Sequence, residues 1–363
     1  MNKKKIVEIE IIRAFAFILV LVEHTIGGYS QDSKAPFDNA VILRFIYTIA
    51  KPAVPIFIFI SAVSLYYTYR DGINIKAFYK KRLFNLVFPY IICSIIYIIV
   101  FHKKIDNIFI SLINGNISYH LWYIGTIIRI YLIFPITLYL LNKLAKRAKV
   151  FNIIFISILS IVSYLLIKNK PMIDTYISTI FTHKSIFSIK EFMSISPMYY
   201  FIYFILGFYF VVYYDEVLVG ILKYKNVIIV LFSIFLIPCY LITMGNRIDF
   251  YFNDYIKAAV TICFNIFSIF FWYYISLYMI RIKTKSVNIF KFISHYSFTE
   301  YLYHVLIINY IAGILYRYYR LTNNYIFPSV FLCLSAIIIA PIVCHLFSFL
   351  PYSKYIFGIK RYR

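Results

Sequence analysis

Long apolar runs alternate with short polar or basic breaks along the whole chain. A hydrocarbon core of about 30 Å is crossed by a helix of about 20 mainly apolar residues, and the chain offers such runs from end to end. The pattern therefore predicts an all-α, polytopic membrane protein of about ten transmembrane helices. The predicted spans are 6–27, 41–68, 83–101, 121–141, 150–167, 197–214, 225–244, 256–280, 292–315 and 326–350.

The composition supports this class. Hydrophobic residues make up 63% and charged residues 14% of the 363 residues, whereas a soluble domain has about 25% charged residues. We expect no soluble domain, so residues 1–363 are predicted to form a single transmembrane domain. The start "MNKKKIVEIE" resembles a signal peptide, but its apolar run is too long, contains charges and lacks a small-residue cleavage site. We therefore expect it to be retained as the first span.

The net charge is +23, from 37 Lys and Arg against 14 Asp and Glu. This charge is informative about the membrane topology of the chain and leaves the predicted fold class unchanged. The basic residues gather in the breaks between spans, as they do in cytoplasmic loops of membrane proteins, so no nucleic-acid partner is expected. With the amino terminus inside, the predicted inner segments hold about twice as many Lys and Arg as the outer loops. This bias favours a multi-pass protein with both termini in the cytoplasm. The five cysteines form no CxxC pair, so neither a zinc site nor a disulfide framework is expected.

Ionisable side chains inside a span are costly and usually face a cavity or a partner, which makes each a candidate functional residue. Those inside the predicted spans, together with two near an outer edge, are Arg13, His24, Arg129, Glu300, His304, Glu23 and His120. Lys80 and Arg82 lie at the edge of a span, where snorkelling towards the interface explains them.

Arg13 and His24 lie eleven residues apart in the first span. At about 100° and about 1.5 Å per residue, they share one helix face and lie about 16–17 Å apart along the axis. This arrangement suits a substrate that reaches through the membrane, with an anionic head inside and a reactive end outside. It equally suits an arginine paired with a nearby carboxylate and a histidine at the water interface. Glu23, about 100° round the helix from His24, is expected to face the outer interface.

The first span, "IEIIRAFAFILVLVEHT", resembles the first helix of the acyltransferase-3 family of integral membrane sugar O-acyltransferases, in which an Arg is followed by ten residues and a His. Further segments resemble the family in its order, namely "PAVPIFIFISAVSLYYTYR", "FYKKRLFNLVFPYIICSIIY", "HLWYIGTIIRIYLIFPI", "YFIYFILGFYF" and "ISHYSFTEYLYHVLII". The resemblance covers nearly the whole chain. It is strongest to the branch associated with bacterial exopolysaccharide, including the poly-N-acetylglucosamine adhesin membrane protein.

The resemblance implies transfer of an acetyl or succinyl group from cytoplasmic acetyl-CoA or succinyl-CoA to a hydroxyl of an extracytoplasmic glycan, without a metal. His24 would be the general base and Arg13 would guide the donor. The catalytic site would also include Glu300 and His304. The CoA phosphates would be bound by Arg82, Lys80 and Lys81. The substrate passage would be lined by Trp122, Tyr131, Arg129 and His120. The expected partners are the glycan acceptor, the lipid bilayer, a polysaccharide synthase or export machinery, and a second copy in a homodimer.

The chain departs from the family pattern at three places. Asn85 stands where the family often has a second Arg, and Ser61-Ala62 replaces the usual Ser-Gly. Glu300, four residues before His304 and on the same helix face, is unusual for the motif. It could orient His304, pair with Arg129, or serve a different chemistry.

Two other functions remain open. A polysaccharide exporter or flippase without acyl transfer fits the branch association, although we find no internal repeat of the kind that transporters often show. N-acylation of an amino sugar is the other, and analysis of the product would separate an amide from an ester.

Overall fold

The computed structural model of the chain describes residues 6–180, 191–283, 285–318, 324–359 and 361–362. The α-helices in chain order are α1 (Val7–Gln31), α2 (Phe37–Ala50), α3 (Ala53–Tyr69), α4 (Ile75–Arg82), α5 (Phe88–Val100), α6 (Ile108–Asn114), α7 (Trp122–Ala145), α8 (Lys149–Lys168), α9 (Lys170–Ile180), α10 (Phe201–Val212), α11 (Tyr214–Lys223), α12 (Lys225–Met244), α13 (Asp254–Arg281), α14 (Ser286–Tyr318), α15 (Ile326–Phe347) and α16 (Ser353–Ile356). A π-helical turn, Leu83–Val87, joins α4 to α5. Every regular element within the described residues is helical, which confirms the all-α prediction.

Nine helical segments among the described residues are long and apolar enough to cross a membrane. They are Phe37–Tyr69, Ile75–Val100, Trp122–Ala145, Lys149–Lys168, Glu191–Val212, Lys225–Arg247, Asp254–Arg281, Ser286–Arg317 and Ile326–Phe347. These coincide with nine of the ten predicted spans and confirm a multi-pass membrane protein. The predicted span 6–27 coincides with α1, a helix of 25 residues that contains Arg13 and Glu23 and has two acidic residues in its first turn; it is not among the nine.

The prediction that both termini lie in the cytoplasm stays a prediction, as does that of a single domain. The basic residues of the charge bias that lie outside the described residues are Lys3, Lys4, Lys5, Lys184, Lys190, Arg320, Lys360 and Arg363. The outer loop predicted after residue 168 contains α9 in its described part.

Local side-chain chemistry moves one predicted boundary. The third span was predicted to begin at residue 83, but its helix begins eight residues earlier, at Ile75. The side chain of Asn74 accepts a hydrogen bond from the backbone N–H of Ala77 at 3.0 Å and so caps the new terminus. Arg82 therefore lies within a helix rather than at the end of a loop.

The predicted span 41–68 is two helices joined at Lys51 and Pro52. Pro52 has no N–H to donate to the preceding turn, and α3 begins at the next residue, Ala53. The break brings Lys51, at the end of α2, into the middle of a membrane-crossing segment.

The chain forms two compact units. The first consists of the described parts of Met1–Ile60, Glu216–Ser353 and Ile359–Arg363. Here α1 contacts α2, α13, α14 and α15, and about half of its residues are buried, including Phe17 and Leu21. Because α1 lies among these four helices, the polar stripe of α1, which is the face that carries Arg13 and His24, packs against neighbouring helices.

The second unit consists of the described parts of Ser61–Asp215 and Lys354–Gly358. Within it α7 contacts α4, α6, α8 and α10, and also the 3-10 turn Pro197–Tyr199. Gly125 on α7 permits a close approach, because a Cβ there would lie 3.2 Å from Cδ1 of Ile195.

A buried arginine fastens α2 to two helix ends in the first unit. Arg44 is 7% exposed, and its Nε donates to the carbonyl of Ser30 at 2.9 Å. Its Nη1 donates to the carbonyls of Thr243 and Met244 at the end of α12. A cation stabilises the carbonyl-rich end of a helix, so a structural role explains the burial of Arg44.

Candidate active site

Helix α1 carries Arg13 and His24 on one uninterrupted stretch. Because the helix runs from Val7 to Gln31 without a break, the predicted common face and axial separation of about 16–17 Å apply to it. Both side chains are partly buried, whereas Phe17 and Leu21, between them, are fully buried. The polar stripe thus lies along the packed core of the first unit.

His24 lies against His304, a residue far along the chain. The two ring centroids are 5.0 Å apart, with the planes tilted by 34°. Helix α14 supplies His304, and the contact between α1 and α14 places the two imidazoles together. The structure therefore brings together two of the four residues predicted for the catalytic site.

The backbone determines the tautomer of His304. Its Nδ1 lies 2.7 Å from the carbonyl oxygen of Tyr301. A carbonyl only accepts, so Nδ1 carries the hydrogen and the neutral ring has its lone pair on Nε2. The ring also meets Phe17 edge-on, with centroids 6.4 Å apart. His304 is 0% exposed, so both its orientation and its tautomer are fixed.

Glu300 lies one turn before His304 on α14 and is also 0% exposed. Neither carboxyl oxygen accepts a hydrogen bond from any residue that the structure describes. The Nδ1 of His304 is held by the carbonyl of Tyr301, so the orientation of that ring is set by the backbone. A buried carboxyl without hydrogen bonds costs free energy, and such a group inside a membrane span is a functional candidate.

Two in-span cations were missed by the sequence reasoning, Arg44 and Lys51. Both lie inside the predicted span 41–68, and the rule that selected Arg13 applies equally to them. Arg44 is buried among carbonyls, as described above. Lys51 donates to the hydroxyl of Thr243 at 2.6 Å and interacts electrostatically with Glu23. The prediction that Glu23 faces the outer interface did not include this partner.

The second unit contains the cations predicted for the CoA phosphates. The guanidinium of Arg82 lies 4.7 Å from the ring centre of Tyr131 and 5.2 Å from that of Phe78. Its Nε is buried and has no hydrogen-bond partner among the described residues. Lys80 and Lys81 on the same helix are exposed. The structure thus brings Arg82 together with Tyr131, and the π-helical turn that follows Arg82 is a feature often found at functional sites.

The other predicted passage residues also lie in the second unit. Trp122 packs against Tyr200, with ring centroids 5.6 Å apart. His120 is 0% exposed, and its ring centroid lies 5.2 Å from that of Tyr97. Aromatic contacts thus surround the two residues on either side of Leu121, at the start of α7.

Arg129 is engaged by the backbone. Its guanidinium donates to the carbonyl of Phe192 at 2.7 Å and to that of Ile113 at 3.0 Å. It also lies 3.8 Å from the ring centre of Phe192. These contacts tie α7 to the end of α6 and to the segment before Pro197, which is a structural role.

We expect Arg129→Met to lower thermal stability. The change leaves two carbonyls without donors, and hydrogen bonds to a charged group are each worth about 1.5–3 kcal/mol. Because 1 kcal/mol corresponds to about 2–4 °C in a unit of about 150–250 residues, the loss of both bonds should lower the midpoint of unfolding in detergent by roughly 6–24 °C. Lys143→Met, which removes an exposed cation from the same helix, is the control and should leave the midpoint unchanged. An unchanged midpoint in Arg129→Met would contradict the structural role.

Within the described residues, no three His, Cys, Asp or Glu side chains gather as a metal site requires.

Comparison with known proteins gives one match. A family model described as an acyltransferase domain matches residues 6–345. Searches of the curated proteins and of the solved structures found no match. The matched region begins just before α1 and ends within α15, so it includes both the His24–His304 pair and the Arg82 cluster. The chain belongs to the acyltransferase 3 family of membrane proteins.

Proposed function

We propose that the chain is a membrane O-acyltransferase that moves an acetyl or succinyl group from cytoplasmic acyl-CoA to a hydroxyl of an extracytoplasmic glycan. The observation that carries this proposal is the contact between His24 and His304, with ring centroids 5.0 Å apart. Family membership supports acyl transfer, and imidazole is the side chain best suited to take a hydroxyl proton near neutral pH.

In the proposed reaction His24 removes the proton of the acceptor hydroxyl while the hydroxyl oxygen attacks the thioester carbonyl. The new sugar ester forms, the carbon–sulfur bond breaks, and the proton is passed to the departing thiolate, which leaves as the free thiol of CoA. His304 positions His24 through ring contact.

The donor is proposed to bind through cations. Arg82, with Lys80 and Lys81, would hold the CoA phosphates, since guanidinium and ammonium groups form strong charge-assisted hydrogen bonds to phosphate. The unused Nε donor of Arg82 supports this role. Arg13 would stabilise the donor along its path. Trp122, Tyr131 and His120 would line the passage.

We place the acceptor among bacterial exopolysaccharides, of which poly-N-acetylglucosamine is the leading candidate. A polysaccharide synthase or export machinery would then supply the acceptor, and the bacterial cytoplasmic membrane would hold the enzyme with both termini in the cytoplasm. This assignment rests on the similarity of the motif order to that branch.

The direct test uses the purified full chain in liposomes with radiolabelled acetyl-CoA or succinyl-CoA and a partly de-N-acetylated N-acetylglucosamine oligosaccharide, which offers both hydroxyls and free amines. We expect label to appear on the sugar and to be released by mild alkali, as an ester is. Alkali-stable label would instead identify an amide and hence N-acylation. Translocation of unmodified glycan without consumption of either donor would overturn the proposal in favour of an exporter.

A further inference from the structure

A polar cluster lies beside His24 on a different side of α1. Its members come from α1, from the end of α2 and from α12, all within the first unit. Glu23 interacts electrostatically with Lys51 and with Tyr47. The ammonium of Lys51 lies 2.6 Å from the hydroxyl oxygen of Thr243 and 5.4 Å from the ring centre of Tyr47. Three chain segments thus bring together one anion and one cation, and the anion, Glu23, directly precedes the proposed general base in the sequence.

Close packing holds this cluster against α1. A Cβ at Gly27 would lie only 3.0 Å from Cε2 of Tyr47, so the absence of a side chain at Gly27 lets the tyrosine ring reach the helix. The hydroxyl of Thr243 in turn donates to the carbonyl of Cys239 at 2.8 Å, which leaves its oxygen to accept from Lys51. The ammonium of Lys51 is therefore held at a fixed place.

The carboxylate of Glu23 and the ammonium of Lys51 do not form a direct ion pair. Among the described residues, no ion-pair contact of 4.0 Å or less joins Glu23 to Lys51, and no hydrogen bond reaches the Glu23 carboxyl. Lys51 has three N–H donors, of which Thr243 takes one. Glu23, His24 and Lys51 each keep part of their side chain accessible, whereas Pro52 and Ala53 directly after Lys51 are buried.

The hydrogen-bonding groups of Glu23 and Lys51 that remain available determine which class of ligand can bind there. A carboxylate only accepts hydrogen bonds and an ammonium only donates them, while a hydroxyl does both. Two neighbouring hydroxyls of a sugar ring satisfy both groups at once, one donating to Glu23 and the other accepting from Lys51. A phosphate would bind Lys51 but would be repelled by Glu23, so a neutral polyhydroxyl ligand is favoured over an anion.

We propose that Glu23 and Lys51 form the acceptor subsite, which binds two hydroxyls of the glycan and places a neighbouring hydroxyl at His24. This inference rests on the proposed function and adds to it the residues that hold the sugar. The competing role is that the pair only stabilises the packing of α1 against α2, in which case both charges could be removed together without loss of acceptor binding.

The test measures KM for each substrate in the reconstituted full chain, with acetyl-CoA as donor and a β-1,6-linked N-acetylglucosamine pentasaccharide as acceptor probe. In Lys51→Met we expect the KM for the pentasaccharide to rise about 10- to 100-fold, because the change removes a hydrogen bond from a charged group. In Glu23→Gln we expect a rise of about tenfold, because the amide oxygen still accepts a hydrogen bond but carries no charge. The KM for acetyl-CoA should stay within about twofold. Lys257→Met, which changes a partly exposed lysine of the same unit that pairs with Asp254, is the matched control and should change neither constant.

The double variant, Glu23→Gln with Lys51→Met, separates binding from packing. Removing one partner of a charge pair leaves the other uncompensated, whereas removing both relieves that penalty. If the pair binds the acceptor, the double variant stays as impaired as either single variant. Recovery of the wild-type acceptor KM in the double variant, or an unchanged KM in both single variants, would overturn the inference while the wild type still transfers acetyl groups. A wild type that transfers nothing to the pentasaccharide would remove the proposed function and the inference with it.

Discussion

His24→Asn should lower acyl transfer by about 10²–10⁴-fold, the contribution that a positioned general base typically makes. Asparagine keeps a polar side chain on the same face of α1 but has no group that takes up a proton near neutral pH. The ring of His24 lies against that of His304, with centroids 5.0 Å apart, so the change also removes the contact that holds the proposed base in place. The measurement is the initial rate of radiolabel transfer from acetyl-CoA to the oligosaccharide, together with KM for both substrates.

The matched control is His102→Asn. His102 is an exposed loop residue with a φ of 48°, a backbone conformation in which asparagine is well tolerated, so the change should leave transfer and stability intact. Comparison of the two variants separates the effect of losing the imidazole at position 24 from the effect of losing any imidazole. A His24→Asn protein with full transfer activity would refute the general-base role, and then the contact with His304 would have to be structural.

The helices were predictable because membrane insertion is encoded locally. A run of about 20 apolar residues is sufficient to indicate a span, and nine such segments lie where expected in the part of the chain that the structure describes. Boundaries shifted where a single side chain acts on the backbone, as with the Asn74 cap that begins the third span at Ile75. The break at Pro52 is likewise a one-residue effect within an otherwise continuous apolar run.

The candidate site was predictable only in part. Helix geometry alone places Arg13 and His24 on one face, so the sequence of α1 was sufficient to predict them as a pair. The contact of His24 with His304 depends on how α1 packs against α14, which no local pattern contains. Lys51 differs, because its charge inside a predicted span was visible in the sequence, while its partner Thr243 became visible only in the fold.

Glu300→Met should make the protein more stable and at least about 100-fold less active, a trade-off typical of functional residues that burden the fold. The Glu300 carboxyl is 0% exposed, and neither oxygen accepts a hydrogen bond from a described residue. Burying such a group costs about 1–3 kcal/mol, and methionine of similar length removes that cost. The midpoint of thermal unfolding should therefore rise by about 2–4 °C for each kcal/mol recovered.

Glu216→Met is the control for this effect, since Glu216 is an exposed carboxylate of the same unit and its loss should change neither stability nor transfer. A Glu300→Met protein that is both more stable and fully active would show that the fold tolerates the carboxyl without using it. A less stable variant would show instead that the carboxyl has a favourable partner in the membrane-embedded protein. Opposite signs for stability and activity are expected only if the buried carboxyl is retained for the reaction at His304, one turn away on α14, and at His24, against which His304 lies.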